Sequence, residues 1–123
     1  REAENDYSDW FYNELRDEIQ AHLSIWSEAL SCLNKLGRGI LNVDDLRREL
    51  EKDRFVREWM GNNNKSEDFI IEKLFDFGVI GTLTRDTTWA FKYKDHTLKW
   101  NPNGKIIVHY GLHRKLRIRQ SRR

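Results

Sequence analysis

Helices first and a small antiparallel sheet last is the α+β architecture that this 123-residue chain predicts. Three observations carry the prediction. An amphipathic run opening at Ser66 stops on Gly78, and the short apolar stretch Val79-Ile80 follows directly. A turn at Asn101-Pro102-Asn103-Gly104 then separates two strand-like segments, His96–Trp100 and Lys105–His109, ahead of a basic tail. Helix, short strand and hairpin in that order is winged-helix order, a helix followed by a β-wing. The fold serves DNA readers and protein-contact modules alike, so it narrows function without fixing it.

Residues 7–36 carry the strongest periodicity. Phe11, Leu15, Ile19, Leu23, Trp26, Leu30 and Leu33 recur at steps of three and four and share one helix face. Asp6 or Ser8 is placed to cap the start, Asp9 supports the dipole, and Gly37 and Gly39 end the helix. A helix of about 28 residues is roughly 42 Å long, more than a domain of this size needs. It either breaks near its middle or projects and packs on something outside the chain. The ordinary reading is a core helix. The functional reading is a protein contact through Trp10, Phe11, Leu15, Ile19 and Trp26, on a stripe the rest of the chain does not fully cover.

A second helix is expected from Val43 to Lys52, opened by Asn42 or Asp44, and a third short one through Phe55, Val56, Trp59 and Met60 after a bend near Asp53. Gly61-Asn62-Asn63-Asn64 reads as a loop. Ser66 caps the next helix, with Glu67 and Asp68 in its first turn, and Gly78 suits a left-handed stop. Val79-Ile80 is a short strand bounded by Gly81, and Thr87–Lys94 alternates as another. Thr97–Trp100 extends it or pairs with it, a hairpin closes on Lys105–His109, and Leu112–Leu116 forms a last helical turn. The expected core is Trp26, Leu30, Leu33, Leu46, Leu50, Phe55, Trp59, Ile70, Leu74, Phe75, Val79, Trp89, Phe91, Ile106 and Val108.

Composition sets the outer limits. The length suits one domain rather than two. With 5 Trp, 4 Tyr and 6 Phe, the chain is too aromatic for a disordered segment. Its apolar runs fall well short of the roughly 20 residues that span a bilayer. It begins without Met or a signal-like segment and is read as a piece of a longer protein. Residues 1–60 hold 9 Lys/Arg and 14 Asp/Glu, a net of −5, while residues 61–123 hold 13 and 6, a net of +7. Such asymmetry speaks about partners, not fold. The single cysteine, Cys32, lies among leucines and reads as a small core residue in a reducing compartment, the cytoplasm.

Motifs for chemistry are weak. His109 and His113 stand four apart, but Tyr110 follows the first where a zinc protease needs Glu, and no third ligand is near; no metal is expected. Gly37-Arg38-Gly39 lacks the lysine-serine end of a phosphate loop. No carboxylate pair is singled out, so no enzyme and no small-molecule substrate are read here. Phosphate contact is the live alternative: Lys92, Lys94, Lys99 and Lys105 stud the proposed hairpin, and Arg114, Lys115, Arg117, Arg119, Arg122 and Arg123 follow in the tail. The helix in the recognition position opposes groove reading, because it carries Glu67, Asp68, Glu72 and Asp76.

The run Lys73-Leu-Phe-Asp-Phe-Gly-Val-Ile-Gly81, the aromatic strand Trp89–Tyr93 and the closing Ile107-Val-His-Tyr-Gly-Leu-His-Arg-Lys-Leu-Arg-Ile118 resemble the C-terminal end of certain prokaryotic P-loop ATPases. In those proteins a winged-helix-like region follows the nucleotide-binding core. The resemblance covers residues 40–118. The family's Walker motif and catalytic acid have no counterpart here, so no nucleotide-binding residue carries over and no cofactor is expected. What it implies is a non-catalytic module, residues 40–123, entered by a helical link over residues 1–39, within a multidomain protein of signalling or antiphage defence. The leading expectation is thus an interaction or regulatory module whose partner is a parent-protein domain or another subunit. DNA or RNA is the alternative partner, and a membrane is not one.

Overall fold

The N-terminal periodicity resolves into two arms rather than one rod. A computed structural model describes residues 8–100, 104–109 and 111 of the chain. Ser8–Trp10 are helical, Phe11–Leu15 form a π-helical turn, and α1 spans Arg16–Ala21. His22, at φ −132° and ψ 43°, breaks the run before α2, Leu23–Lys35. The break lets both arms turn the same stripe inward. Trp10, Phe11, Leu15, Ile19 and Trp26 are all buried, none more than 9% exposed. The uncovered contact stripe is therefore corrected: within this chain those five residues are core. Each large apolar side chain so buried contributes about 1.5–3 kcal/mol.

Gly37 (φ 89°) and Gly39 (φ 94°) take the left-handed turns that lead out of α2 into β1, Ile40–Asn42. Three helices follow before the sheet resumes. Helix α3, Val43–Lys52, buries Val43, Leu46 and Leu50 and lays Asp44–Arg47, Asp45–Arg48 and Glu49–Lys52 pairs along its outer face. At Asp53 the chain bends, as expected, and the Asp53 carboxylate accepts from the Val56 N–H at 3.0 Å to open α4, Arg54–Asn63. The bland loop expected at Gly61–Asn64 is helical as far as Asn63; only Asn64 (φ 54°) is left-handed. Its N–H donates to the Met60 carbonyl, and the Asn63 amide donates to the Trp59 carbonyl at 2.8 Å. These bonds, with Met60 anchored in the core, outweigh the poor propensity of Gly and Asn.

Helix α5, Glu67–Asp76, starts after an extended Ser66 whose hydroxyl makes no capping bond, contrary to expectation; Glu67 and Asp68 alone favour that end. Its stop is as expected, at Gly78 (φ 78°), where the Gly78 and Val79 N–H groups satisfy the Phe75 and Leu74 carbonyls.

The strands then close a four-stranded antiparallel sheet in the order β1-β4-β2-β3. These are β2, Ile80–Leu83; β3, Trp89–Ala90; and β4, Lys105–Val108. Ile40 faces Ile107 across β1 and β4, and Ile80 faces Val108 across β2 and β4. A first strand paired to the last, with the helices threaded between, makes the domain winged-helix-like. The hairpin expected between His96–Trp100 and Lys105–His109 does not form, because β4 is taken on both sides by β1 and β2. Residues after β3 instead curl into a 3₁₀ turn, Lys92–Lys94, and an Asp95 turn in which the Leu98 N–H reaches the Asp95 carbonyl at 3.0 Å. The turn at Asn101–Asn103 and the helix at Leu112–Leu116 lie outside the described residues.

Gly81 sits inside β2 rather than bounding it. A Cβ there would meet the Ala90 carbonyl oxygen at 2.8 Å and the Phe91 ring at 2.9 Å. The core gathers residues from both sides of position 39, from Trp10 to Val108. Of the expected core, Phe55 is the exception at 44% exposure, and Trp59, Trp89 and Phe91 are half-buried. Val56 and Met60 set the inward direction of α4, which leaves Phe55 on its flank.

Candidate functional site

Helix α5 is the last helix before the β2–β3 hairpin, and its outward residues are acidic. Asp68 and Glu72 are exposed, and Asp76 is half-buried beside them. The Arg47 guanidinium of α3 donates to Asp68 at 2.6 Å, and Lys73 reaches Glu18 of α1 at 2.5 Å. Burial pushes the Asp76 carboxyl above its usual range, with Lys92 and Lys73 acting against the shift and Glu72 and Glu18 adding to it. A negative helix face tied to its neighbours repels phosphates rather than reading bases.

Among the described residues, the cations named from sequence are not brought into one track. Lys92 is held inside the wing, its Nζ donating to the Leu98 carbonyl at 2.9 Å and lying 4.0 Å from Asp76. Lys105 opens β4 at the far side of the sheet, where it lines an open pocket of about 460 Å³ with Asn42, Asp44, Asp45 and Arg48. Lys94 and Lys99 are exposed on the wing segment. Arg114, Lys115, Arg117, Arg119, Arg122 and Arg123 lie outside the described residues.

On the wing, Arg85 escaped the sequence reading as an exposed cation. Arg85 stands at the tip of the β2–β3 hairpin, in a turn closed by the Thr84 N–H to the Thr88 carbonyl (2.9 Å) and the Thr88 N–H to the Thr84 hydroxyl (3.1 Å). The only signal for it was the turn-forming run Thr84–Thr88 between two apolar segments. Thr87 in that turn has φ 63°, a conformation β-branched residues avoid. Thr87→Gly should therefore stabilise the domain by about 1 kcal/mol, a gain that urea unfolding would register.

Neither candidate for reactive chemistry is displayed. Cys32 is buried, and desolvation pushes its thiol up to about 12, so it stays protonated and inert. His109 leaves β4 between the rings of Phe91 and Tyr93, its Nε2 3.0 Å from the Tyr93 hydroxyl, and burial lowers its pKa. His113 lies outside the described residues, among which no three His, Cys, Asp or Glu side chains are grouped to hold a metal. Melting should be indifferent to chelator and to added zinc; a large chelator-induced drop abolished by His109→Ala would contradict this.

Rings, by contrast, run from the core to the surface. Phe77 lies 5.0 Å from Trp26, Trp26 lies 6.2 Å from Trp59, and Trp59 stacks at 6.3 Å and 23° on Phe69. The Lys65 ammonium sits 4.5 Å over the Phe69 ring. Phe55, one turn before Trp59 on α4, is exposed to solvent. The class that fold and surface define is a winged-helix-like α+β domain. Comparison with protein families, curated proteins and solved structures finds no match. Among the described residues no helix is long and apolar enough to cross a membrane.

Proposed function

We propose that the chain is a non-enzymatic interaction module that transmits or restrains the state of a larger protein. The observation that carries this is the aromatic edge of α4 and α5, where Phe55 is exposed and Trp59 and Phe69 are only half-covered. Aromatic side chains at a surface supply large contact area at low entropic cost. The partner is a neighbouring domain of the same protein, and the resemblance to P-loop ATPases names that neighbour as a nucleotide-binding core in the cytoplasm. Hydroxyl-radical footprinting tests it. In the complete protein, Phe55 and Trp59 should oxidise several-fold less than in the isolated chain. Equal oxidation rejects the reading.

A second reading, phosphate contact by wing and tail, is favoured by the exposure of Arg85, Lys94 and Lys99 on the wing. Removing residues 117–123 deletes Arg117, Arg119, Arg122 and Arg123. For duplex DNA each lost contact should flatten the salt slope by roughly 0.9 units. Unchanged affinity and slope reject the tail's role, and no binding by the intact chain at low salt rejects this reading altogether.

A further inference from the structure

The π turn, α1, α5 and the wing meet around an open pocket of about 260 Å³. Trp10 and Leu15 form its apolar wall, and the Trp10 ring is fixed by Tyr93 and His96, each 6.0 Å away between centroids. Glu14, Glu18 and Asp76 line it from the π turn, α1 and α5. Their charges are unevenly answered. Glu18 holds Lys73 at 2.5 Å, whereas Lys92, committed to the Leu98 carbonyl, stands 4.0 Å from Asp76. Glu14 has no ion pair among the described residues.

A negative, open pocket beside an indole suits a flat, delocalised cation. A guanidinium donates paired hydrogen bonds to a carboxylate and lies against an aromatic ring, which a metal ion does not. The carboxylates in the lining repel phosphate. An isolated small amine would gain little from so open a site, whereas a residue carried on a chain adds contacts along the rim.

We propose that this pocket receives an arginine side chain from a basic segment of a partner protein. The inference rests on the interaction-module reading above and gives the chemistry of one segment that such a partner presents. The raised Asp76 carboxyl agrees with it, since a bound cation would favour its charged form against the cost of burial.

The test uses the whole 123-residue chain and an acetylated, amidated peptide Ala-Leu-Arg-Leu-Arg-Ala. Its citrulline analogue, of the same shape without charge, is the control. Calorimetry should show saturable binding of the arginine peptide, with a shift of the Trp10 indole N–H resonance. Affinity should fall about tenfold or more for the citrulline peptide, for Asp76→Asn and for Glu14→Gln, the loss expected for one charged hydrogen bond. Glu14 is exposed, so its variant keeps the fold if Asp76→Asn does not. No binding, equal affinity for the two peptides, or unchanged affinity in both variants overturns the proposal. Tighter binding by about tenfold on deleting residues 114–123 also overturns it, because the chain's own basic run would then be the occupant. Footprinting of Phe55 and Trp59 is independent of this pocket, so the two readings fail separately.

Discussion

Trp26→Ala should cost about 3–5 kcal/mol in urea unfolding, the range for removing a buried aromatic ring. Against the roughly 5–15 kcal/mol that a domain of this size has in total, the variant would sit near the edge of folding. The reason is its place in the molecule. At 2% exposure, Trp26 links α2 to α4 through Trp59 and to the end of α5 through Phe77. Its indole N–H finds no hydrogen-bond partner among the described residues. Trp26→Phe therefore keeps much of the ring contact and removes an unsatisfied donor, so its cost should stay below about 1.5 kcal/mol. Equal losses in the two variants would contradict this account and point to a bonded indole.

Gly81→Ala is the second large effect, and it acts through backbone rather than core volume. The added methyl would lie 2.8 Å from the Ala90 carbonyl oxygen, an atom held in the β2–β3 ladder opposite Thr82. Relief requires β3 to move away from β2, which also displaces Phe91 from His109. The expected cost is about 1–3 kcal/mol, as for overpacking elsewhere. Loss of protection at the Thr82 amide in hydrogen exchange would place the damage at this hairpin. A variant as stable as the parent, with that amide still protected, would show that the sheet can absorb the methyl group.

Proximity in the chain decided what could be read early. The α3 boundaries, the bend at Asp53 and the stop at Gly78 were legible because caps, charge and glycine act within one turn. The uncovered stripe was misread for a related reason. Periodicity shows that Phe11, Leu15 and Ile19 share a face, but not where that face points once His22 breaks the helix. The aromatic edge was equally hidden: Phe55 and Trp59 look like core until Val56 and Met60 fix the inward side of α4. Arg85 was missed because its exposure depends on a turn closed by Thr84, and Lys105 looked like a wing residue until β4 crossed to β1.

By itself, then, the sequence determined the helices and their order, the α+β class, the acidic outer residues of α5 and the inert surroundings of Cys32. These follow from local propensity and from side chains within a few positions of one another. Only the tertiary structure decided that β1 exists, that β4 runs between β1 and β2, and that the wing folds back over Trp10. The physical reason is pairing at a distance. Ile40 finds Ile107, and Lys73 finds Glu18, far apart in the chain, and such partners are chosen by the packing of the whole core.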